Sequence, residues 1–142
     1  MKRKLSQSKR RFTVIINYLS LLLALALFYF GKQQGWSSLF TGAEILILAI
    51  ALISFIYLHI GTGLWSLVHA KTERLDEREI QVTRDSLHHA YGIFAVLALV
   101  VLFLHALSIG GGESFDMLIF ASLLYTAHTL PSSIIAWKER EV

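Results

Sequence analysis

Four long apolar stretches separate the charged parts of this chain and leave few folds open to it. They cover residues 12–30, 45–69, 87–108 and 115–136, and each is close to the roughly 20 residues that a helix needs to cross a bilayer core. Of the 142 residues, 55% are hydrophobic and 16% are charged, and the stretches lack the alternation of a strand. The sequence therefore predicts one all-α domain over residues 1–142, an integral membrane four-helix bundle.

Lysine and arginine are distributed unevenly around these stretches. Six precede the first stretch, four lie at Lys71, Arg74, Arg78 and Arg84, two follow the last stretch, and the other two loops hold only Lys32. Segments rich in Lys and Arg stay in the cytoplasm because these residues resist translocation. We therefore expect both termini and the loop between the second and third stretches to be cytoplasmic.

The loop sequence ERLDEREIQVTRDSLHHAYGIF, residues 73–94, also carries a helix-start pattern. Asp76 is followed three residues later by Glu79, the spacing of a capping box, and acidic side chains in a first turn complement the helix dipole. The pattern predicts that the third helix begins near residue 76. Residues 76–87 would then form a helical extension on the cytoplasmic side of the membrane.

Three of the stretches contain one face of small or polar residues. Helices in lipid associate through close packing and hydrogen bonds rather than through apolar contact, so we expect these faces to point inward and the leucines and isoleucines to face lipid. The predicted inward residues are Asn17, Ser20, Ala24 and Gly31; His59, Thr62, Gly63 and Ser66; and Ser122, Tyr125, Thr126, Thr129, Ser132 and Ser133.

Two histidines, His59 and His128, are expected at similar depths on different helices, in the cytoplasmic half of the membrane. A haem b with two histidine ligands requires this placement, since each imidazole must reach one face of the same iron. The alternative is structural: each imidazole would hydrogen-bond a hydroxyl or carbonyl group in its polar face, because unsatisfied polar groups are costly in hydrocarbon.

A second group of histidines lies at the start of the third helix. Asp85, His88 and His89 share a helix face, and His69 at the end of the second stretch could approach them. A carboxylate with imidazoles suits zinc or another divalent metal ion. The alternative interpretation is a set of ordinary residues at the membrane surface.

Other chemistry finds no support in the sequence. The chain has no cysteine, and it contains no glycine-rich phosphate loop, nucleophile elbow or HExxH motif. Glu44 is expected at the outer edge of the second stretch, so we predict no buried carboxylate of the kind that proton-coupled exporters use. The basic N-terminus is explained by topology and by attraction to anionic lipid, so no nucleic acid partner is expected. The sequence predicts no cofactor.

Two short segments carry a family resemblance. At LDEREIQ (residues 75–81) and LPSSIIAWKE (residues 130–139) the chain resembles a broad set of small four-span prokaryotic membrane proteins of unknown function. The resemblance implies the plasma (inner) membrane of a prokaryote. It implies no catalytic residue.

Three functional hypotheses follow. The first is a non-enzymatic accessory, regulatory or immunity-like subunit in the lipid bilayer. It would form a homo-oligomer or bind a membrane-protein partner. The second is a haem- or metal-binding redox protein that uses His59 and His128. The third is a small oligomeric transporter or channel in which Asn17 and His59 line the path.

Overall fold

The computed structural model describes residues 5–106 and 113–139, and these residues are almost entirely helical, with no strand among them. Two single-turn segments lie between the α-helices. They are a π-helical turn at Ile56–Ile60 and a 3-10 turn at Thr72–Arg74. The α-helices are α1 (Gln7–Gln34), α2 (Ser38–Phe55), α3 (Leu64–Val68), α4 (Glu77–Ala106) and α5 (Glu113–Lys138).

Four segments are long and apolar enough to cross a membrane, which confirms the predicted number. They are Gln7–Gln34, Ser38–Ile60, Glu77–His105 and Phe115–Lys138. The first begins five residues before the predicted start at residue 12, since the basic residues at its N-terminus are good helix formers. The predicted end of the third span, residues 107–108, lies outside the described residues.

The second span differs most from the prediction of one helix over residues 45–69. It begins at Ser38, where the hydroxyl of Ser37 accepts a hydrogen bond from the Phe40 amide at 3.4 Å. It ends at the π-helical turn, and Gly63 then adopts a left-handed conformation with φ +80°. A left-handed residue interrupts an α-helix, and glycine adopts that conformation without strain. The second span therefore ends before Gly63, and the short α3 begins after it.

The predicted start of the third helix is confirmed. The Glu79 amide donates to Asp76 Oδ1 at 2.7 Å, and the Asp76 amide donates to Glu79 Oε2 at 3.2 Å. This reciprocal pair is a capping box, and it satisfies two backbone donors that the first turn of a helix leaves without partners. α4 therefore begins at Glu77, within the predicted extension.

The long helices pack in the order α2, α1, α5, α4. Extensive contacts join α1 to α2, α1 to α5, and α4 to α5, while no comparable packing joins α2 to α4 among residues 5–106 and 113–139. The π-helical turn and α3 cross beside α5 and fill one side of this row. The predicted bundle is therefore an open row, in which α1 and α5 are the inner helices and α2 and α4 are the outer helices.

The interior is polar and the surface is apolar, as predicted. Fifteen buried side chains in the described residues are polar or charged and seven are apolar, the reverse of a soluble core. Large apolar side chains are exposed along every long helix. Most of the predicted inward residues are buried or partly buried, and Ser66 is the exception, because its position on α3 lies beyond the helix break.

Candidate functional site: the polar seam and the charged end

Asn17 is the centre of a hydrogen-bonded seam between α1 and its two neighbours. Its side chain is completely buried. The amide nitrogen Nδ2 donates to the Ala51 carbonyl at 3.0 Å and to Ser54 Oγ at 2.9 Å, and Oδ1 accepts from the Tyr125 hydroxyl at 2.8 Å. One side chain therefore joins α1, α2 and α5.

Tyr18 adds a second link between the inner helices. Its hydroxyl lies 3.1 Å from the hydroxyls of Thr129 and Ser133. Because Thr129 already donates to the Tyr125 carbonyl at 2.9 Å, its oxygen accepts from Tyr18. Tyr18 thus links α1 to α5 through hydrogen bonds of its hydroxyl group.

His59 lies in the π-helical turn and is also completely buried. Its Nδ1 is 2.8 Å from Ser132 Oγ, and Ser132 donates its own proton to the Thr129 carbonyl at 2.9 Å. His59 Nδ1 is therefore the donor, and the lone pair is on Nε2. This Nε2 atom is buried and has no hydrogen-bond partner among the described residues.

His128 is in a different environment, on the exposed side of α5. Its Nδ1 donates to the Leu124 carbonyl of the same helix at 2.9 Å, since a carbonyl can only accept. One histidine of the predicted haem pair thus lies inside the seam and the other on the helix surface. His59 matches the structural alternative, because its imidazole bonds a hydroxyl group of the seam. Haem binding by the pair stays a prediction.

Two histidines of the predicted metal site, His69 and His89, make other contacts. His69 stacks on Trp65 with 4.1 Å between ring centroids, and its Nδ1 donates to the Trp65 carbonyl at 2.9 Å. His89 Nδ1 donates to the Asp85 carbonyl at 2.7 Å, and Nε2 accepts from Lys138 Nζ at 3.0 Å. His88 is exposed.

No three of the His, Asp and Glu side chains in the described ranges are grouped so that they could hold a metal ion. A cation bound by His69, Asp85, His88 and His89 would require these contacts to rearrange, because the lone pair of His89 already accepts from Lys138. The metal site stays a prediction.

Glu44 corrects the expectation about carboxylates. Its side chain is 9% exposed, and Oε2 is buried without a hydrogen-bond partner within the residues that the structure describes. The prediction placed Glu44 at the outer edge of the second span because it started that span at residue 45. Since α2 begins at Ser38, Glu44 lies two turns inside the helix.

A set of contacts that the sequence analysis missed ties the start of α1 to the end of α5. Gln7 Nε2 donates to the Trp137 and Lys138 carbonyls at 3.1 and 3.3 Å, and Arg11 Nε donates to the Trp137 carbonyl at 3.0 Å. Arg10, 1% exposed, donates to the Glu139 carbonyl. Side chains of α1 thus satisfy the last carbonyls of α5 and place positive charge at its negative dipole end.

The start of α4 joins the same end of the molecule. Arg78 Nη2 lies 3.8 Å from Glu139 Oε2, and His89 meets Lys138. We call this region, formed by Gln7, Arg10, Arg11, Arg78, His89, Lys138 and Glu139, the charged end. The only signal for it in the sequence is that α5 finishes on WKE without a capping glycine, so its last carbonyls need other donors.

The opposite end is held by aromatic rings. Phe28 meets Trp36 edge to face at 5.4 Å between centroids, and Tyr29 meets Phe115 at 5.3 Å. His105 Nδ1 lies 3.6 Å from Asp116 Oδ1 there, a contact between α4 and α5. The start of α1, the start of α4 and the end of α5 therefore share one end of the row, and the connection from α1 to α2 lies at the other.

Comparison with protein-family models, with curated proteins and with solved structures finds no match. The resemblance carried by LDEREIQ and LPSSIIAWKE accordingly stays a prediction. The chemistry of the seam and of the charged end is the basis for a functional proposal.

Proposed function

We propose that this chain is a multi-pass protein of a prokaryotic plasma membrane, with both termini cytoplasmic, and that it works as a non-enzymatic accessory, regulatory or immunity-like subunit. Its seam would hold the helices together. Residues 73–85, which we call the charged hairpin, would meet a membrane-protein partner or a second copy of the chain.

The placement in a membrane is supported by the inside-out distribution of polarity. Four apolar helices carry large exposed side chains, and most of the buried side chains among the described residues are polar. The orientation is supported by the charged end, which gathers the start of α1, the start of α4 and the end of α5. Segments that share one end lie on one side of a membrane, and the excess of Lys and Arg favours the cytoplasm.

The accessory role is supported by the chemistry of the seam. Asn17 bonds the Ala51 carbonyl, Ser54 and Tyr125, and the Tyr18 hydroxyl bonds Thr129 and Ser133. Ser132 donates its proton to the Thr129 carbonyl and accepts from His59 Nδ1, so this histidine is not placed as a base for the serine. Such a network of neutral groups rigidifies a fold.

The main support for a partner is the exposed, mixed-charge surface of the charged hairpin, which includes part of the 3-10 turn and the start of α4. Glu73, Arg74, Glu77, Arg84 and Asp85 are all exposed. Crossing the membrane requires only positive charge on this side, so the interleaved acids suit a complementary protein surface better than a topology signal.

The test places a photoreactive amino acid at Arg74 or Arg84 in living cells. We expect one discrete cross-linked product from either position, and no product from a matched position at Gln33, which is exposed in the opposite end of α1. Equal labelling from Gln33 would remove the hairpin from the proposal. A reporter fused after Val142 should be active only in a cytoplasmic format, and a periplasmic signal would overturn the orientation.

The broken second span favours one further candidate, a small oligomeric transporter. Non-helical backbone in a membrane protein is tolerated beside protein or a water-filled path, and here the break at Gly63 follows His59, whose Nε2 is buried without a hydrogen-bond partner among the described residues. Glu44 supplies a buried carboxylate in the same span. Proton flux into proteoliposomes that is lost in both His59→Leu and Glu44→Gln would establish transport, and flux no greater than that of empty liposomes would exclude it.

A further inference from the structure

An apolar groove opens at the charged end because α1 and α4 lie on either side of α5 without close packing between them. Its volume is about 290 Å³. Apart from Ser133 and Lys138, the side chains that line it are apolar or aromatic: Val14, Tyr18, Ile93, Leu130, Ile134 and Trp137.

The groove extends about half a bilayer deep. Its lining on α5 runs from Leu130 to Lys138, and the eight helical steps between these two residues cover about 12 Å. One leaflet contributes about 15 Å of the hydrocarbon core. An extended acyl chain from the leaflet at the charged end would therefore lie along the whole groove.

A smaller polar cavity adjoins the groove at its mouth. It measures about 110 Å³, and it is lined by Asp85, Ser86, His89, Lys138 and Glu139 together with three apolar residues. Ile134 and Lys138 line both the groove and this cavity. An apolar slot that ends in a polar pocket matches a ligand with a long tail and a polar head.

The charge around the mouth selects the kind of head. Lys138 Nζ is 3.0 Å from His89 Nε2, and that imidazole is neutral because its only proton is on Nδ1, where it donates to the Asp85 carbonyl. The histidine therefore does not neutralise the ammonium group. Arg11 reaches the same turn of α5: its Nε donates to the Trp137 carbonyl at 3.0 Å, and its guanidinium carbon is 5.2 Å from the centroid of the Trp137 ring.

Four cations, Arg10, Arg11, Arg78 and Lys138, surround this end of α5. Two carboxylates, those of Asp85 and Glu139, line the polar cavity together with Lys138, and Glu139 is already paired with Arg78 at 3.8 Å. The surplus is positive, so an anionic head is preferred over a zwitterionic one.

We propose that the groove and the polar cavity together bind one anionic phospholipid of the leaflet at the charged end, with an acyl chain in the groove and the phosphate on Lys138 and Arg11. The site rests on the membrane placement proposed above. The bound lipid would fill the space between α1 and α4 and complete the row of helices on that side.

The experiment is native mass spectrometry of the detergent-purified full chain, delipidated and then mixed with equal amounts of phosphatidylglycerol and phosphatidylcholine that carry the same acyl chains. We expect one phosphatidylglycerol to be retained in preference to phosphatidylcholine. Lys138→Gln should lower that retention about fivefold, the effect of one cation near an anionic lipid. Lys32→Gln, an exposed cation at the opposite end, is the matched control and should change nothing.

A second variant tests the groove itself. Ile93 is 52% exposed at the rim, so Ile93→Trp can fill the slot without entering the seam. It should lower retention of both lipids, while circular dichroism and the thermal midpoint stay those of the parent. Equal retention of the two lipids by the parent chain, or a loss with Lys138→Gln no greater than with Lys32→Gln, would overturn the site. So would a dimer that retains no lipid.

The outcome also separates this site from the partner role. Extraction of the chain from membranes by alkaline carbonate would overturn the membrane placement and the lipid site together. Selective phosphatidylglycerol retention without any cross-link from Arg74 or Arg84 would support the lipid site and overturn the hairpin as a partner surface.

Discussion

The inner helices α1 and α5 and the outer helices α2 and α4 are all apolar enough to cross a membrane, and they differ in what they bury. About 28% of the apolar window of α1 and 33% of that of α5 is buried, against 6% in each outer span. The inner helices contribute Asn17, Tyr18, Tyr125, Thr129 and Ser132 to the seam. The outer helices mostly present leucine, isoleucine, valine and phenylalanine to the surroundings.

This difference shows which chemistry holds the row together. Lipid tails are as apolar as leucine, so an exposed leucine on α2 or α4 gains little by touching another helix. A buried amide or hydroxyl group must find a partner. Asn17, Tyr18 and Tyr125 of the inner helices find theirs on a neighbouring helix, whereas the buried Ser20 and Thr126 bond carbonyls of their own helix. Stability should therefore depend on a few polar side chains and very little on the many large apolar ones.

The largest effect is expected from Asn17→Leu. The change removes three hydrogen bonds between helices and leaves the buried Tyr125 hydroxyl without its acceptor. At about 0.6 kcal/mol for an average bond in a membrane protein, we expect a loss of about 2 kcal/mol. Unfolding from mixed micelles by titration with sodium dodecyl sulfate measures it. Leu46→Ala on α2, 61% exposed, is the control, and an equal loss there would end the distinction between inner and outer helices.

The next effect concerns the break at Gly63 between the outer helix α2 and the short α3. Gly63→Ala places a side chain on a residue with φ +80°, which should cost about 1–2 kcal/mol of unfolding free energy. Gly42→Ala is the matched change inside α2, where an added Cβ meets nothing within 4 Å. That control should stabilise the protein by about 0.5–1 kcal/mol. Stabilisation by both changes would mean that the second span is one continuous helix.

His59 and His128 provide a third comparison, between a histidine buried in the seam and one on the exposed side of α5. His59→Leu removes the bond to Ser132, so we expect a loss of about 1 kcal/mol, whereas His128→Leu should be neutral because its ring bonds only its own helix. An absorption spectrum of each purified variant adds a second readout. A Soret band in the parent chain that disappears in both variants would establish the haem hypothesis, and equal losses of stability would contradict the difference in burial.

The smallest effect is expected at the exposed start of an outer helix. Asp76→Ala removes one half of the capping box and should cost about 0.5 kcal/mol, the low end for a cap at an exposed terminus. Amide hydrogen exchange should increase in the first turn of α4 and stay unchanged in α5. Glu73→Ala, in the preceding 3-10 turn, is the control. Faster exchange throughout α5 would show that the cap supports the inner helices as well.

Much of the fold could be predicted because the signals are local or periodic. The four spans follow from length and composition, the start of α4 from Asp76 and Glu79, and the inward faces of α1 and α5 from the spacing of small and polar residues. The burial of Asn17 and Thr129 needs no knowledge of their partners, since any polar group in hydrocarbon turns inward.

The remaining features depend on contacts between distant parts of the chain. Hydropathy does not detect a break at Gly63, because Thr62, Gly63 and Leu64 continue an apolar stretch. The order of the helices and the burial of Arg10 depend on how α5 docks against α1, over 129 positions of sequence. Topology and attraction to anionic lipid explain the basic N-terminus in the sequence, and they do not predict that three of its side chains cap another helix.

The contact between the start of α1 and the end of α5 has a consequence for the order of events during synthesis. A ribosome releases α1 first and α5 last of the four long helices, so Gln7, Arg10 and Arg11 must remain hydrated, or occupied by lipid phosphate, until the Trp137 carbonyl emerges. Docking of the final helix would then close the molecule in a single late step, and a nascent chain stopped before residue 137 would carry a complete first span without its stabilising partner.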